Sequence, residues 1–126
     1  MSIIKPEINH QDERGQIIDL LENKNINAIT IVTINHGAIR GNHYHKLTTQ
    51  YNYVMGGKIK MYTQIGDGDI QISVLSKGDF TVCIPMEKHT FVGVEDAEII
   101  VFTEGPRGGK EYESDTYRLD ESLVKE

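Results

Sequence analysis

The sequence has 126 residues and a mass of 14.2 kDa, which is room for one ordinary domain but not for separate cofactor and substrate domains. We therefore expect residues 1–126 to form a single domain. Its 13 lysines and arginines against 19 aspartates and glutamates give a net charge of −6, which argues against a nucleic-acid partner. No apolar run approaches the ~20 residues that a membrane-spanning helix needs. The sequence lacks a signal-peptide pattern and a second cysteine, so a cytoplasmic protein is expected.

Short β-branched and aromatic runs recur along the chain at a spacing typical of a β-sandwich or barrel. The head offers an edge strand built on Ile3, Ile4 and Ile8. The predicted strands that follow are 16–21, 28–35, 49–55, 58–64, 69–75, 80–84, 89–94 and 98–103. After a glycine-rich cluster at 105–109, the polar residues 112–126 are expected to form a loop or a short helix. The fold class predicted is all-β.

Two glycine clusters lie between predicted strands. The Gly-Gly pair at 56–57 and the Gly-Asp-Gly segment at 66–68 both suit tight hairpins between antiparallel neighbours. In the strands on either side of the second turn, 58–64 and 69–75, apolar residues alternate with polar ones. This alternation predicts that each of these strands has one face in water.

Five histidines occur in the chain, and His43 and His45 lie two residues apart. Side chains two apart on an extended strand project to the same face, so these two imidazoles can converge on one metal ion or substrate. His10 and His36 lie in polar or turn segments and are expected to be solvated. Cys83 sits in an apolar run and is expected to be a small buried residue rather than a nucleophile.

The spacing around this pair resembles the two-part signature of the cupin superfamily. The matching positions are Gly37, His43, His45, Gln50 and Gly57, followed by Gly78, Pro85 and His89. Gln50 stands where the family has glutamate, Pro85 lies one place late, and Glu87 or Lys88 replaces a glycine. The resemblance implies a jelly-roll barrel of double-stranded β-helix type, in which His43, His45, Gln50 and His89 come from three strands and meet in the interior.

Three further segments resemble cupins that act on nucleotide-activated sugars, the 3,5-epimerases and 3,4-ketoisomerases of deoxysugar pathways. They are residues 12–17 (DERGQI), 39–46 (IRGNHYHK) and 112–118 (YESDTYR). The resemblance implies a homodimer that binds a nucleoside-diphosphate 4-keto sugar, with His43 and His45 moving protons. A third histidine, His89, departs from that branch, whose members work without metal. In this respect the sequence resembles metal-binding cupins such as the phosphomannose isomerases.

The chemistry of the site leaves two uses for the imidazoles. Three neutral imidazoles and the Gln50 amide oxygen suit Fe²⁺, Mn²⁺, Ni²⁺, Co²⁺ or Zn²⁺, and ligands to such an ion cannot also be bases. With metal, the base would be another inward residue such as Tyr53, Tyr62 or Glu104. Without metal, His43 or His45 is the base.

Strand period and local charge add two expectations. If Gln50 faces the interior, Asn52 does too, and Tyr51 and Tyr53 face outward towards a dimer mate or the N-terminal strand. An outward Tyr53 is a weaker candidate for the base. Four cations, Arg40, Lys46, Arg107 and Lys110, offer binding sites for a diphosphate.

The functional hypothesis is an isomerase or epimerase of a nucleotide-activated or phosphorylated keto sugar. It works through an enolate and uses a divalent metal at His43, His45, Gln50 and His89. One alternative is a metal-dependent dioxygenase that uses the same histidines. Another is a cupin that binds a small ligand without catalysis. Each hypothesis predicts a different measurement. The isomerase predicts deuterium incorporation next to the sugar carbonyl, the dioxygenase predicts oxygen uptake, and the binding protein predicts tight binding without turnover.

Overall fold

The computed structural model describes residues 2–106 and 113–124, and most of them lie in short antiparallel strands. The strands are β1 (Ser2–Ile4), β2 (His10–Asp12), β3 (Gly15–Ile17), β4 (Ala28–Ile34), β5 (Ile39–Tyr44), β6 (Thr49–Gly56), β7 (Lys58–Ile65), β8 (Gln71–Ser76), β9 (Phe80–Cys83), β10 (Glu87–Gly93), β11 (Ala97–Glu104) and β12 (Tyr117–Arg118). Within the described ranges, no helix has the length and apolar character needed to span a membrane.

Two five-stranded sheets make up the body of the protein. The first sheet has the order β1-β9-β6-β11-β4 and the second has the order β12-β5-β10-β7-β8, while β2 and β3 form a separate ribbon. The neighbours in each sheet are antiparallel, and the apolar inner faces of both sheets share one core. This double-sheet arrangement is that of a jelly roll and confirms the predicted all-β fold.

The apolar core is concentrated at one end of the barrel. It is built from β-branched and long aliphatic side chains that are at most 2% exposed and come from facing strands of both sheets. These residues are Ile34, Val54, Ile59, Met61, Leu75 and Ile99. Burying side chains of this size contributes roughly 1.5–3 kcal/mol each, so this end supplies most of the apolar stabilisation.

The glycine pair at 56–57 does not form the predicted hairpin. β6 ends at Gly56 in the first sheet and β7 begins at Lys58 in the second, so the pair is a corner between sheets. Gly57 has a φ of +78°, and a Cβ there would overlap the carbonyl group of Asp96. Only glycine allows this close crossing. The turn at 66–68 does join the antiparallel pair β7 and β8, as predicted.

The alternating apolar residues of β8 lie on its outer face. Ile72 and Val74 point away from the core and are exposed, whereas Leu75 is buried. The reason is register, because Leu75 pairs with Ile59 of β7, whose side chain belongs to the core. The pairing partner, and not the alternation within β8, decides which face is covered.

One predicted strand is shorter than expected, and one observed strand was not predicted. The strand predicted over 16–21 ends at Ile17, and the leucines that follow, Leu20 and Leu21, line a surface cavity over the outer face of the first sheet. β5 was not predicted, because Gly41 and Asn42 interrupt it with positive φ values of 89° and 60°. The register of its pairing with β10 shifts at this point, which marks a β-bulge.

Both ends of the described chain add strands to the sheets. β1 contains Ile3 and Ile4 and pairs with β9 at the edge of the first sheet, as the apolar head predicted. At the other end, part of the segment expected to be a loop or helix pairs as β12 with β5. Residues 107–112 lie outside the described part of the chain. The C-terminal segment therefore runs beside the strand that carries His43.

Candidate functional site

Three imidazoles meet at the end of the barrel opposite the apolar core. His43 lies on β5, His45 follows directly after β5, and His89 lies on β10 as the pairing partner of His43. Their ring centroids are 4.7 to 5.4 Å apart, and one nitrogen from each lies within 4.8 Å of the others. The structure thus brings together the three histidines that the sequence pattern singled out.

The bulge in β5 brings these side chains into place. Asn42 adds one residue to β5 opposite β10, and its side-chain oxygen accepts hydrogen bonds from the Thr90 hydroxyl at 3.2 Å and the Leu123 amide at 3.1 Å. A Cβ on Gly41 would lie 2.9 Å from the carbonyl oxygen of His89. The glycine therefore lets β5 approach β10 closely enough for the imidazoles to touch.

Hydrogen bonds fix the tautomers of two of the rings. The Nδ1 atom of His45 lies 2.9 Å from the carbonyl oxygen of Asp115, and that of His89 lies 3.3 Å from the carbonyl oxygen of Glu87. A carbonyl oxygen can only accept, so Nδ1 carries the hydrogen in both rings. In the neutral imidazole, Nε2 then keeps its lone pair, which can accept a proton or bind a metal ion.

A cavity of about 230 Å³ adjoins the cluster between the two sheets. Its wall combines polar and apolar side chains from β4, β5, β6, β10 and β11. The described residues that line it are Thr30, Val32, Arg40, Gly41, His43, Gln50, Asn52, His89, Phe91, Ile99 and Val101. Gln50 and Asn52 share this wall, whereas Tyr51 and Tyr53 contact Phe80 on the outer face, so the period-two expectation for this strand is confirmed.

Burial keeps the imidazoles of His43 and His89 neutral. Burial, together with the neighbouring His89, His45 and Arg118, lowers the pKa of His43 to about 3. Burial, together with His45, lowers the pKa of His89 to about 4. Neutral imidazoles hold lone pairs at pH 7, which is the state required of both a general base and a metal ligand.

None of the three alternative bases considered from sequence lines this cavity. Glu104 accepts a hydrogen bond from the hydroxyl of Tyr51 at 3.0 Å, on the outer face of the first sheet, where Tyr53 also lies. Tyr62 belongs to the outer face of the second sheet, where the Lys60 ammonium lies 5.5 Å from its ring centre. Among the described lining residues, the ionisable side chains are His43, His89 and Arg40.

The other predicted residues fall into different environments. His10 and His36 are exposed and lie outside the cluster, and His10 pairs with Asp12 at 3.0 Å. Cys83 is 3% exposed, and burial together with Glu87 raises its pKa to about 12. A thiol in that state is protonated at neutral pH, so Cys83 is a buried packing residue, as expected.

The predicted substrate-binding cations do not all face the cavity. Arg40 is exposed, lines the cavity, and donates from Nε to the Thr33 carbonyl oxygen at 2.9 Å. Lys46 instead places its ammonium 4.3 Å from the ring centre of Tyr117. Arg107 and Lys110 lie outside the described residues. Arg118, a member of the tail motif at 112–118, lies opposite His43 in the β5–β12 ladder.

Asp115 is the main component of the site that sequence reasoning missed. It is 2% exposed, and its carboxylate accepts hydrogen bonds from the amides of Lys46 and Leu47 and from the hydroxyl of Thr48. Burial alone would raise its pKa, but these hydrogen bonds outweigh burial and hold the pKa below its usual range. The only signal in the sequence was the acidic tail motif at 112–118, some 70 residues from the histidine pair.

Comparison with known families gives one match that spans most of the chain. The model of the polysaccharide biosynthesis C-terminal domain family matches residues 10–117. Among curated proteins, an oxalate decarboxylase from Arthroderma benhamiae is 32% identical over 94 residues, which cover 73% of this chain and 22% of that protein. The chain thus spans about a fifth of the length of this relative.

Solved structures share the fold at low sequence identity. A dTDP-4-dehydrorhamnose 3,5-epimerase from Sulfolobus tokodaii is 18% identical with a TM-score of 0.79, over 98% of this chain and 78% of that one. A TDP-quinovose 3,4-ketoisomerase from Campylobacter jejuni is 18% identical with a TM-score of 0.76, over 94% and 92%. A variant sugar 3,4-ketoisomerase from Thermoanaerobacterium thermosaccharolyticum, in complex with TDP-4-keto-6-deoxyglucose, is 20% identical with a TM-score of 0.75, over 94% and 86%.

The match in family, the shared barrel and the histidine spacing agree with one another. The family model covers both β5, with its bulge, and the strand that carries His89. The structural neighbours reproduce the same double-sheet barrel over more than nine-tenths of the chain. The chain therefore belongs to the polysaccharide biosynthesis C-terminal domain family and has the jelly-roll fold of the cupin superfamily.

Proposed function

We propose that this protein is an isomerase or epimerase that acts on a nucleotide-activated keto sugar through an enolate intermediate. The observation that carries the proposal is a small cavity whose wall contains the neutral imidazoles of His43 and His89. Proteins with the same fold include 3,5-epimerases and 3,4-ketoisomerases of TDP-sugars, which supports the same class of substrate here.

The size of the cavity supports a sugar as the group bound inside the barrel. At about 230 Å³ it lies below the ~300–1,000 Å³ typical of pockets for drug-sized ligands. It accommodates one sugar ring, and a nucleotide would remain outside. Arg40 at the wall and Arg118 beside His43 supply positive charge for the diphosphate, since guanidinium groups bind phosphate oxygens in pairs.

In this proposal His43 moves the proton. Its imidazole lines the cavity and is neutral at pH 7, so it can take a proton from the carbon beside the sugar carbonyl. The electron pair of the broken C–H bond forms the enolate, whose charge resides on the former carbonyl oxygen. The amide of Gln50, on the same wall, can donate a hydrogen bond to that oxygen. For epimerisation, water or another acid delivers a proton to the opposite face of the same carbon and the carbonyl re-forms. For isomerisation, the hydroxyl proton of the deprotonated carbon moves to the former carbonyl oxygen, and the His43 imidazolium returns its proton to the former carbonyl carbon.

The same cluster also fits a divalent transition-metal ion, which is our second proposal for the site. Nitrogens of His43, His45 and His89 lie within 4.8 Å of one another, and the neutral state of His43 and His89 suits coordination. Gln50 would add an amide oxygen. A bound ion supplies Lewis-acid stabilisation of enolate charge. Apart from His43 and His89, the ionisable residue on the described cavity wall is Arg40, whose guanidinium is a donor and not a base. A protein with all three imidazoles bound to metal therefore has no base there.

Deuterium incorporation tests the proposed reaction. Wild-type protein incubated with TDP-4-keto-6-deoxyglucose in D₂O is expected to introduce deuterium at a carbon next to the carbonyl, detected by NMR or mass spectrometry. His43→Asn, which keeps a polar group but loses the base, is the matched variant and is expected to lose the exchange. Tight binding of the sugar nucleotide without exchange would contradict catalysis and indicate a binding protein. Oxygen uptake with Fe²⁺ in place of exchange would indicate a dioxygenase.

Metal analysis separates the two uses of the imidazoles. Elemental analysis of untagged wild-type protein and of His89→Ala gives the number of ions bound per chain. About one equivalent in wild type, lost in the variant, supports the three-histidine metal site. Metal-free wild-type protein that exchanges deuterium supports His43 as a base without metal and removes the metal proposal.

We also propose that the protein is a homodimer that pairs through the outer face of the first sheet. Ile29 and Ile31 on the edge strand β4 are 67% and 65% exposed and lie side by side on that face. Exposed apolar side chains that lie together on a surface mark sites of protein–protein contact. Sedimentation analysis is expected to show a dimer for wild type and a monomer for the Ile29→Lys, Ile31→Lys double variant. A monomeric wild type at micromolar concentration would contradict the proposal.

A further inference from the structure

The C-terminal segment forms part of the support of the imidazole cluster. Its strand β12 pairs with β5, so Tyr117 lies opposite Tyr44 and Arg118 lies opposite His43. The rings of Tyr44 and Tyr117 stack with centroids 5.2 Å apart. The amide of Leu119 donates to the carbonyl oxygen of Asn42 at 3.0 Å, in the bulge that sets the position of His43. The segment is thus joined along the whole end of β5.

Asp115 makes the contacts that reach His45. One carboxylate oxygen accepts from the amides of Lys46 at 3.0 Å and Leu47 at 3.2 Å, and the other accepts from Leu47 at 3.1 Å and from the Thr48 hydroxyl at 2.7 Å. The main-chain oxygen of the same residue accepts from Nδ1 of His45 at 2.9 Å. One residue therefore holds both the ring and the three residues that follow it.

We propose that Asp115 is a positioning residue for His45. Its carboxylate fixes the backbone of residues 46–48, and this in turn holds the Asp115 carbonyl oxygen in line with the imidazole. The ring then keeps its hydrogen on Nδ1 and its lone pair on Nε2, the nitrogen available to the cluster. The proposal rests on the proposed function in taking His45 as a working member of that cluster.

The chemistry of the carboxylate makes this role specific. The Lys46 and Leu47 amides and the Thr48 hydroxyl are all N–H or O–H donors, so both carboxylate oxygens accept. In Asp115→Asn an amide NH₂ replaces one acceptor and faces the Leu47 amide or the Thr48 hydroxyl. Two hydrogen-bond donors that face each other in a buried position leave both groups without an acceptor, which costs free energy. Residues 46–48 are therefore expected to shift, while the rest of the fold keeps its hydrogen bonds.

The test uses ¹⁵N-histidine NMR on the full chain without metal or sugar, together with kinetics. Wild type is expected to show His45 as the Nδ1–H tautomer. Asp115→Asn is expected to show mixed tautomers and a drop in kcat of about 10- to 100-fold with little change in KM, the range seen for residues that orient other ligands and bases. The matched control is Asp120→Asn, an exposed acid in the same segment, which is expected to match wild type.

A second variant keeps the test decisive if Asp115→Asn does not fold. Thr48→Val removes one hydrogen bond to the carboxylate and is expected to shift the His45 tautomer in the same direction by a smaller amount. A wild-type tautomer in every folded variant, with wild-type kcat, overturns the proposal. A tautomer shift in a protein that never turns over a sugar would instead sink the proposed function and leave the positioning role of Asp115 intact.

Discussion

The two ends of the barrel use the same strands for different purposes. At one end β6 and β7 contribute Val54 and Ile59, which are essentially unexposed and belong to the apolar core. At the other end the same sheets contribute Gln50 on β6 and His89 on β10, which line a cavity. A strand of eight residues is long enough to serve the core at one end and the site at the other.

The two ends of the barrel contribute differently to stability and to chemistry. The apolar end gains free energy from burial, whereas the imidazole end buries His89 and Asp115, whose polar groups must find hydrogen bonds to be tolerated there. Mutations at the two ends should therefore affect different measurements. Changes at the apolar end should lower the free energy of unfolding, and changes at the imidazole end should lower turnover.

The largest expected effect is on turnover at the imidazole end. His43→Asn removes the proposed base and is expected to lower kcat/KM by about 10²- to 10⁴-fold, the usual contribution of general acid–base catalysis. The free energy of unfolding should change by less than about 1 kcal/mol, because His43 is only partly buried. Steady-state kinetics and urea unfolding of the same preparation check both statements, and equal losses in both would break the comparison.

The next effect is on stability at the apolar end. Gly57→Ala is expected to cost more than about 3 kcal/mol, because the added Cβ would overlap the Asp96 carbonyl group at the corner between sheets. Gly66→Ala is the matched control, since it also has positive φ but has no atom within 4 Å of the added Cβ, so it should cost about 1 kcal/mol. Urea unfolding measures both, and similar costs would argue against the crossing at Gly57.

The pH dependence of stability should come from the imidazole end. In metal-free protein the pKa values of His43 and His89 are about 3 and 4, well below the 6.5 of an unperturbed histidine. The unfolded chain binds protons that the folded state excludes, so this stability is complete above pH 6.5 and is lost as the pH falls towards 4. Between pH 7 and 5 the loss should be roughly 2 to 4 kcal/mol.

Urea unfolding across this pH range measures the loss, and His43→Asn provides the comparison. The variant lacks one of the two titrating groups, so its stability should fall with pH about half as steeply as that of wild type. Equal slopes would show that His43 titrates normally in the folded state and would remove the argument that it is neutral because it is buried.

The smallest expected effect is a loss of unfolding free energy at the apolar end. Ile59→Val removes one methylene from a fully buried side chain and should cost about 1 kcal/mol of unfolding free energy. Turnover per folded molecule should stay at the wild-type level, since Ile59 does not line the cavity. A fall in kcat of more than about threefold at unchanged folding would show that the two ends are coupled.

The sequence was sufficient for features that depend on local spacing. The period of two along β6 correctly separated Gln50 and Asn52 from Tyr51, because alternation is a property of any strand. The spacing of the histidines indicated that they come from different segments that meet. The all-β fold followed from the short, evenly spaced apolar runs.

Features that depend on distant pairing could not be predicted from the sequence. β5 was missed because its strand pattern is broken at Gly41 and Asn42, and only the partner strand β10 shows that this break is a bulge. The corner at Gly57 looks like a hairpin until the sheet membership of β6 and β7 is known. Asp115 contacts a loop 67 residues away along the chain, a relationship that no local pattern contains.

The central claim is that the sugar ring occupies the cavity at the imidazole end of the barrel. A crystal structure of His43→Asn with bound TDP-4-keto-6-deoxyglucose tests it most directly, because this variant is expected to bind the substrate without converting it. We expect the sugar ring to lie between Gln50 and residue 43, with the diphosphate beside Arg40. A sugar ring bound outside the barrel, with the cavity filled only by water, would contradict it.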